Sequence, residues 1–132
     1  MVTDDRFLIA LEQFDNARMR LKNALDQPET EYLRDSVIQR FEFTFECAWK
    51  AMYRWLRARG NAVDEEAYEV LPLAFTLRLI VDEAGWGEMR KMRNLTSHTY
   101  NEPLAIKVAA FVRAKGAPLF EELAATLRSR SK

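Results

Sequence analysis

From Glu31 to Arg59 the apolar side chains recur at intervals that only a helix can gather on one side. Val37, Phe41, Phe45, Ala48, Met52 and Leu56 step by 4, 4, 3, 4 and 4. Ile38, Trp49 and Trp55 widen that stripe, the pattern of a helix that touches several neighbours. A second stripe, Phe7, Leu11, Phe14, Ala17, Leu21 and Ala24, steps by 4, 3, 3, 4 and 3. Gly and Pro together supply 4 + 4 of the 132 residues, about half of average usage. So few turn formers argue against a sandwich or barrel.

The punctuation between the stripes divides the chain into five helical segments. Asp4 or Asp5 can cap the first and Pro28 stops it. Arg54, Arg57 and Arg59 suit the negative end of the long second helix, and Gly60 suits its C′ position. A third segment runs from about Ala67 to Val81, with Pro72 expected in its first turn or at a kink. Gly85 and Gly87 read as a break, followed by a fourth helix from about Glu88 to Thr99. Asn101 caps a fifth, with Glu102 and Pro103 in its first turn; Gly116 and Pro118 interrupt it before it resumes to Arg128. The pattern predicts an all-α protein, an antiparallel up-and-down four-helix bundle with an additional short helix, as a single domain over residues 1–132.

Twenty basic and twenty acidic side chains cancel. That excludes a nucleic-acid binder that attracts phosphate with its whole surface, and leaves room for a local basic site. Cys47 is the lone cysteine, so no intramolecular disulfide forms, and its neighbours Phe45 to Trp49 mark it as a small core hydrophobe. The opening Met-Val-Thr-Asp-Asp lacks the order of a secretory signal, and no apolar run approaches a membrane span. A soluble, cytoplasmic protein is expected. There is no Gly-rich phosphate loop, no nucleophile elbow and no Cys/His cluster at metal-ligand spacing. With His98 the only histidine, any imidazole chemistry within one chain belongs to it, and no cofactor or metal is called for.

His98 lies in Met92-Arg93-Asn94-Leu95-Thr96-Ser97-His98-Thr99-Tyr100-Asn101. On an ideal helix Asn94 and His98 fall on nearly one line, as do Arg93 and Tyr100, whereas Arg93 and His98 stand about 140° apart. A guanidinium and an imidazole of unperturbed pKa near 6.5 suit phosphodiester cleavage. The first neutralises the phosphoryl oxygens, and the second takes the 2′-hydroxyl proton or protonates the leaving oxygen. The competing reading is a solvated histidine that complements a helix C-terminus.

The stretch Arg93 to Tyr100 resembles the Arg-x4-His-x-Tyr signature of the HEPN superfamily, in its HepT branch. Gln39-Arg40-Phe41-Glu42-Phe43-Thr44-Phe45-Glu46-Cys47-Ala48-Trp49-Lys50 resembles the long-helix motif of bacterial nucleotidyltransferase substrate-binding proteins. The resemblance covers nearly the whole chain; Pro72 and Cys47 depart from it, away from the signature. It implies a HEPN-like bundle that forms a homodimer, in which the signature helices of two subunits face one cleft. It also implies a metal-independent endoribonuclease toxin, acting on tRNA in some members, with Arg93 and His98 catalytic and Asn94 supporting. A cognate minimal nucleotidyltransferase, the antitoxin, would transfer AMP onto Tyr100, placing charge and bulk beside Arg93 and His98. The alternative that the resemblance carries is a non-catalytic substrate-binding subunit of a two-component nucleotidyltransferase.

Lys50, Arg54, Arg57 and Arg59, with Tyr53 and Trp55 among them, either line an RNA path or solvate a helix end. Glu42 and Glu46 are either a carboxylate pair for acid–base work or partners that hold an arginine, Arg93 included. Phe43, off the main stripe, is a subunit-interface candidate.

Overall fold

A computed structural model describes residues 5–131; the expected Asp4 cap lies outside them. Among the described residues there is no strand. Six helices run in chain order: α1 (Asp5–Leu25), α2 (Glu31–Ala58), α3 (Ala67–Thr76), α4 (Glu83–Leu95), α5 (Glu102–Phe111) and α6 (Ala117–Ser129). They form an antiparallel four-helix bundle, with α3 as the additional short helix.

The α1–α2 hairpin is the spine. All six residues of the first stripe are buried, as are all six of the second together with Ile38, Trp49 and Trp55. Thr44, buried at the hairpin's centre, donates its hydroxyl to the Arg40 carbonyl at 2.6 Å and reaches the Ala17 carbonyl at 3.2 Å. Thr30 caps α2 by accepting from the Leu33 N–H, and Gly60 takes the left-handed φ of 85° that ends a helix most cheaply. Phe120 of α6 locks the layers together. Its ring meets Phe14 of α1 at 6.1 Å, Phe41 of α2 at 6.2 Å and Trp86 of α4 at 5.9 Å between centroids, edge-on to two of the three, an arrangement aromatic quadrupoles favour.

Three sequence expectations about element boundaries change. The third segment stops at Thr76 rather than Val81, because Arg78 turns into the left-handed region at φ 64°. Arg130 holds that turn from α6, donating to the carbonyls of Leu77 and Arg78 at 3.2 and 2.8 Å. Pro72 sits inside α3 rather than in its first turn. It is exposed there, so water can take the Tyr68 carbonyl that its missing N–H leaves without a helical donor. Gly85 and Gly87 lie within α4 and do not break it: the helix begins at Glu83 because Asp82 caps it, accepting from the Gly85 N–H at 2.8 Å. Glycine at 85 leaves room for that cap, since a Cβ there would collide with the Asp82 carboxylate and displace it. The interruption expected at Gly116 and Pro118 is present, as a π-helical turn rather than a break in the chain's helical course. The chain continues from α5 to α6 through a π-helical turn, Val112–Gly116. Pro118 cannot donate, and one wider turn absorbs the lost bond without ending the helix.

Candidate functional site

The fourth helix runs true only as far as Leu95; Thr96–His98 form a 3-10 turn, and Thr99 and Tyr100 a further turn. The residue types explain the change. The hydroxyls of Thr96, Ser97 and Thr99 donate back to the carbonyls of Arg93, Asn94 and Thr96, at 2.7, 3.4 and 2.9 Å. Such bonds compete with continued helix. Asn101 then caps α5 by accepting from the Leu104 N–H at 3.1 Å, with Pro103 in the first turn, as its sequence predicts.

This geometry corrects the helical-wheel expectation. At about 120° per residue through the 3-10 turn, Asn94 and His98 no longer share a line, and they stand roughly a quarter turn apart. Arg93 and His98 move further from each other, to about 160°. Tyr100 is past the helix altogether, so its seven-residue spacing from Arg93 carries no alignment. On these ideal rotations the Arg93 and His98 side chains start from opposite sides of the helix.

Arg93 turns back onto α2. Its Nε lies 3.3 Å from Glu46 Oε1, and its Nη1 lies 3.5 Å from Glu42 Oε2 and 3.3 Å from the Thr96 hydroxyl. Glu46 is itself held, because the Trp49 indole donates to its Oε2 at 2.9 Å. The arginine is thus steered by a chain of contacts, Trp49 to Glu46 to Arg93, that runs across the α2–α4 seam. Of the two sequence readings for Glu42 and Glu46, the geometry is that of arginine partners. The Arg93 side chain stays 29% exposed; its one side-chain hydrogen bond among the described residues is from Nη1 to Thr96, and its buried Nε, though near Glu46, has no hydrogen-bond partner.

The His98 side chain is exposed and makes no hydrogen bond or ion pair among the described residues, while its carbonyl accepts from the Asn101 N–H at 3.1 Å; its ring meets Tyr100 edge-on at 6.2 Å. Tyr100 is 86% exposed. It borders a depression with Glu31, Arg34, Asp35 and Glu102, three acids and one arginine that the sequence around Tyr100 did not reveal because all but Glu102 come from α2. Asn94 is exposed as well.

The remaining candidates lie on α2. Lys50 stands by the Trp49 ring at 5.8 Å, and Arg54 stacks on Tyr53 at 5.3 Å. Arg57 is exposed, whereas Arg59 covers the Trp55 ring at 4.3 Å and is tied to the helix end. Cys47 is half-buried, and burial pushes its thiol pKa up despite the opposing pull of Lys50, which suits an unreactive packing residue. Phe43 projects outward, 61% exposed. Among the described residues no helix is long and apolar enough to cross a membrane, and no group of three or more His, Cys, Asp or Glu could hold a metal.

Comparison with known proteins places this arrangement. Residues 9–129 match the family described as nucleotidyltransferase substrate binding protein like. Over 77 residues, 55% of this chain, the sequence is 42% identical to a Haemophilus influenzae protein named probable ribonuclease HepT; the match spans 53% of that protein, about half its length. Two solved structures are similar throughout. A Thermus thermophilus protein, known by crystallography, is 34% identical, with 87% of this chain and 98% of that one covered at a TM-score of 0.75. A Haemophilus influenzae protein, whose structure is described as the fold of a substrate binding domain of a nucleotidyltransferase, is 32% identical, with 89% and 98% covered at a TM-score of 0.79. With the family pattern running from α1 to the end of α6 over a matching bundle, the chain belongs to the nucleotidyltransferase substrate binding protein-like family.

Proposed function

We propose that the chain is an endoribonuclease of a toxin–antitoxin pair, acting without a metal and restrained by a nucleotidyltransferase that modifies Tyr100. The observation that carries this reading is the state of Arg93. Glu42 and Glu46 stand behind it at 3.5 and 3.3 Å, its one side-chain hydrogen bond goes from Nη1 to Thr96, its buried Nε has no hydrogen-bond partner, and the side chain stays 29% exposed. An arginine oriented in this way, with donors to spare, is pre-organised for a phosphate. Because Arg93 and His98 diverge within a chain, the site is completed by a second copy, with Arg93 of one subunit facing His98 of the other. His98 takes the proton of the 2′-hydroxyl as that oxygen bonds to phosphorus, or donates one to the 5′-oxygen as its bond breaks. Arg93 neutralises the charge that gathers on the phosphoryl oxygens. Asn94, exposed and next to Arg93 in the chain, is the supporting residue.

Tyr100, exposed beside His98, supplies the point of control. Its phenolic oxygen bonds to the α-phosphorus of ATP, pyrophosphate leaves, and the phenolic proton goes to solvent or to a base on the partner. The attached phosphate then competes for the cleft that RNA must enter.

Growth on expression tests the first part. Wild-type protein without its partner should arrest growth and cleave cellular RNA in vitro, tRNA among the species lost, and His98→Ala should do neither. A His98→Ala variant as harmful as wild type would sink the nuclease. Intact mass after incubation with ATP and the partner should rise by AMP units in wild type and stay fixed in Tyr100→Phe; a shift that persists in Tyr100→Phe would move the modification elsewhere.

The double carboxylate clamp on Arg93 also favours a second reading, a binding subunit that presents substrate to the nucleotidyltransferase, with Arg93 only joining α4 to α2. That reading requires stable co-purification of the two proteins and no RNA cleavage by this chain at any concentration.

A further inference from the structure

The zero net charge of the chain hides a segregation of charge. Acidic side chains gather where α3 begins, at Asp64, Glu65, Glu66 and Glu69, and around Tyr100, at Glu31, Asp35 and Glu102. The opposite sign collects along the seam of α1 and α2. Two adjoining depressions there, of about 370 and 410 Å³, share Ala17, Arg20 and Phe43 and together form one trough. Alanines 10 and 17 keep its floor low, and Phe43 stands in it 61% exposed. Arg20, Arg40 and Lys50 line it. Arg40 is anchored by donating to the Arg20 carbonyl at 2.6 Å, so its charge is fixed over the trough. The one carboxylate in the lining, Glu46, is already engaged by Arg93 and Trp49. Past Lys50 the same face of α2 continues to Arg54 and Arg57 at helical steps of 4 and 3.

We propose that this trough is the path by which single-stranded RNA reaches Arg93, with a base stacked on Phe43 and phosphates held by Arg20, Arg40 and Lys50. The proposal rests on the ribonuclease reading for what happens at the end of the path, and its binding step stands apart from it. An exposed aromatic ring flanked by cations is the arrangement that holds unpaired bases without reading their sequence. The path ends at the right place, because Glu46 both lines the trough and steers Arg93. The lining carries three cations and one carboxylate already engaged by Arg93, so its charge suits a polyanion better than a second copy of this net-neutral chain.

Binding is measured with a fluorescein-labelled 12-nucleotide oligouridine and the His98→Ala protein, so that cleavage does not intrude. Phe43→Ala in that background should weaken binding by about tenfold or more. Arg20→Ala and Lys50→Ala should each lower the slope of log K against log salt by about 0.7, one phosphate contact apiece. Lys107→Ala, on the exposed face of α5, should change neither. Light scattering on the same samples should give Phe43→Ala the mass of its parent. Unchanged oligouridine binding by Phe43→Ala overturns the path, and so does a loss of binding that only follows a loss of mass, which would make this face a contact between copies. Cleavage of cellular RNA by the otherwise wild-type Phe43→Ala protein separates the two ideas: full cleavage sinks the path and keeps the nuclease, whereas Phe43-dependent binding with no cleavage by wild type keeps the path and sinks the nuclease.

Discussion

Arg18 and Arg93 each face two carboxylates, and they are held very differently. Arg18 on α1 is 11% exposed and is saturated: Nε and Nη2 donate to Asp15 at 3.0 and 2.8 Å, and Nη1 to Glu121 on α6. Arg128 of α6 joins the same Asp15 at 3.1 Å, closing a stitch between the first and last helices. Burial works against the charge of Arg18, yet the hydrogen bonds it donates to Asp15 and Glu121 outweigh it and raise the pKa above the usual arginine value. Arg93 is more open, its carboxylate contacts are longer at 3.3 and 3.5 Å, and its buried Nε makes no hydrogen bond. Short, aligned bonds on every edge make a fastener. Longer contacts from one side hold a direction and leave capacity for an anion, which the proposed chemistry needs.

The sharpest way to break this contrast is to neutralise each arginine in turn. Arg93→Gln should lower RNA cleavage by a hundredfold or more, the scale of losing a group that stabilises transition-state charge, with the protein still folded by circular dichroism. Arg18→Gln should leave cleavage per folded molecule within about threefold; an equal loss from both variants would erase the distinction. Stability should show the reverse order. Arg18→Ala strands Glu121 and leaves Asp15 with Arg128 alone, and should cost about 1–2 kcal/mol, seen as a melting temperature lower by roughly 3–8 °C. Trp49→Phe removes the donor that holds Glu46 and should cost about 1 kcal/mol. Cleavage should fall several-fold through kcat with KM little changed, the mark of a positioning residue; a KM effect alone would mean that Trp49 meets the substrate. Smallest is Arg128→Ala. Its side chain is half exposed and Asp15 keeps Arg18 as a partner, so the change should stay within about 0.5 kcal/mol.

The helices of this protein were legible because their stripes are long and regular. Every residue of the Phe7–Ala24 and Val37–Leu56 stripes is buried, and Asn101 caps α5 as its sequence predicts. Glycine and proline misled wherever a neighbour compensated. Gly85 reads as a breaker, and it is the space the Asp82 cap occupies. Pro118 reads as an interruption, which takes the form of a π turn that keeps the chain helical. At the site the residue types were readable and their directions were not. Three hydroxyl residues in a row of four positions were present in the sequence, but their joint effect, a 3-10 turn that swings His98 away from Asn94, depends on which carbonyls they reach.

Periodicity is a property of neighbours along the chain, so the sequence alone determined the helical class, the buried faces and the Arg93-to-Tyr100 signature. What only the folded molecule decided is everything that joins α2 to another helix. The clamp of Glu42 and Glu46 on Arg93, the acidic surroundings of Tyr100 and the cationic trough around Phe43 all unite residues 20 or more positions apart. Charge interactions act through space, falling with distance between side chains rather than with separation along the chain.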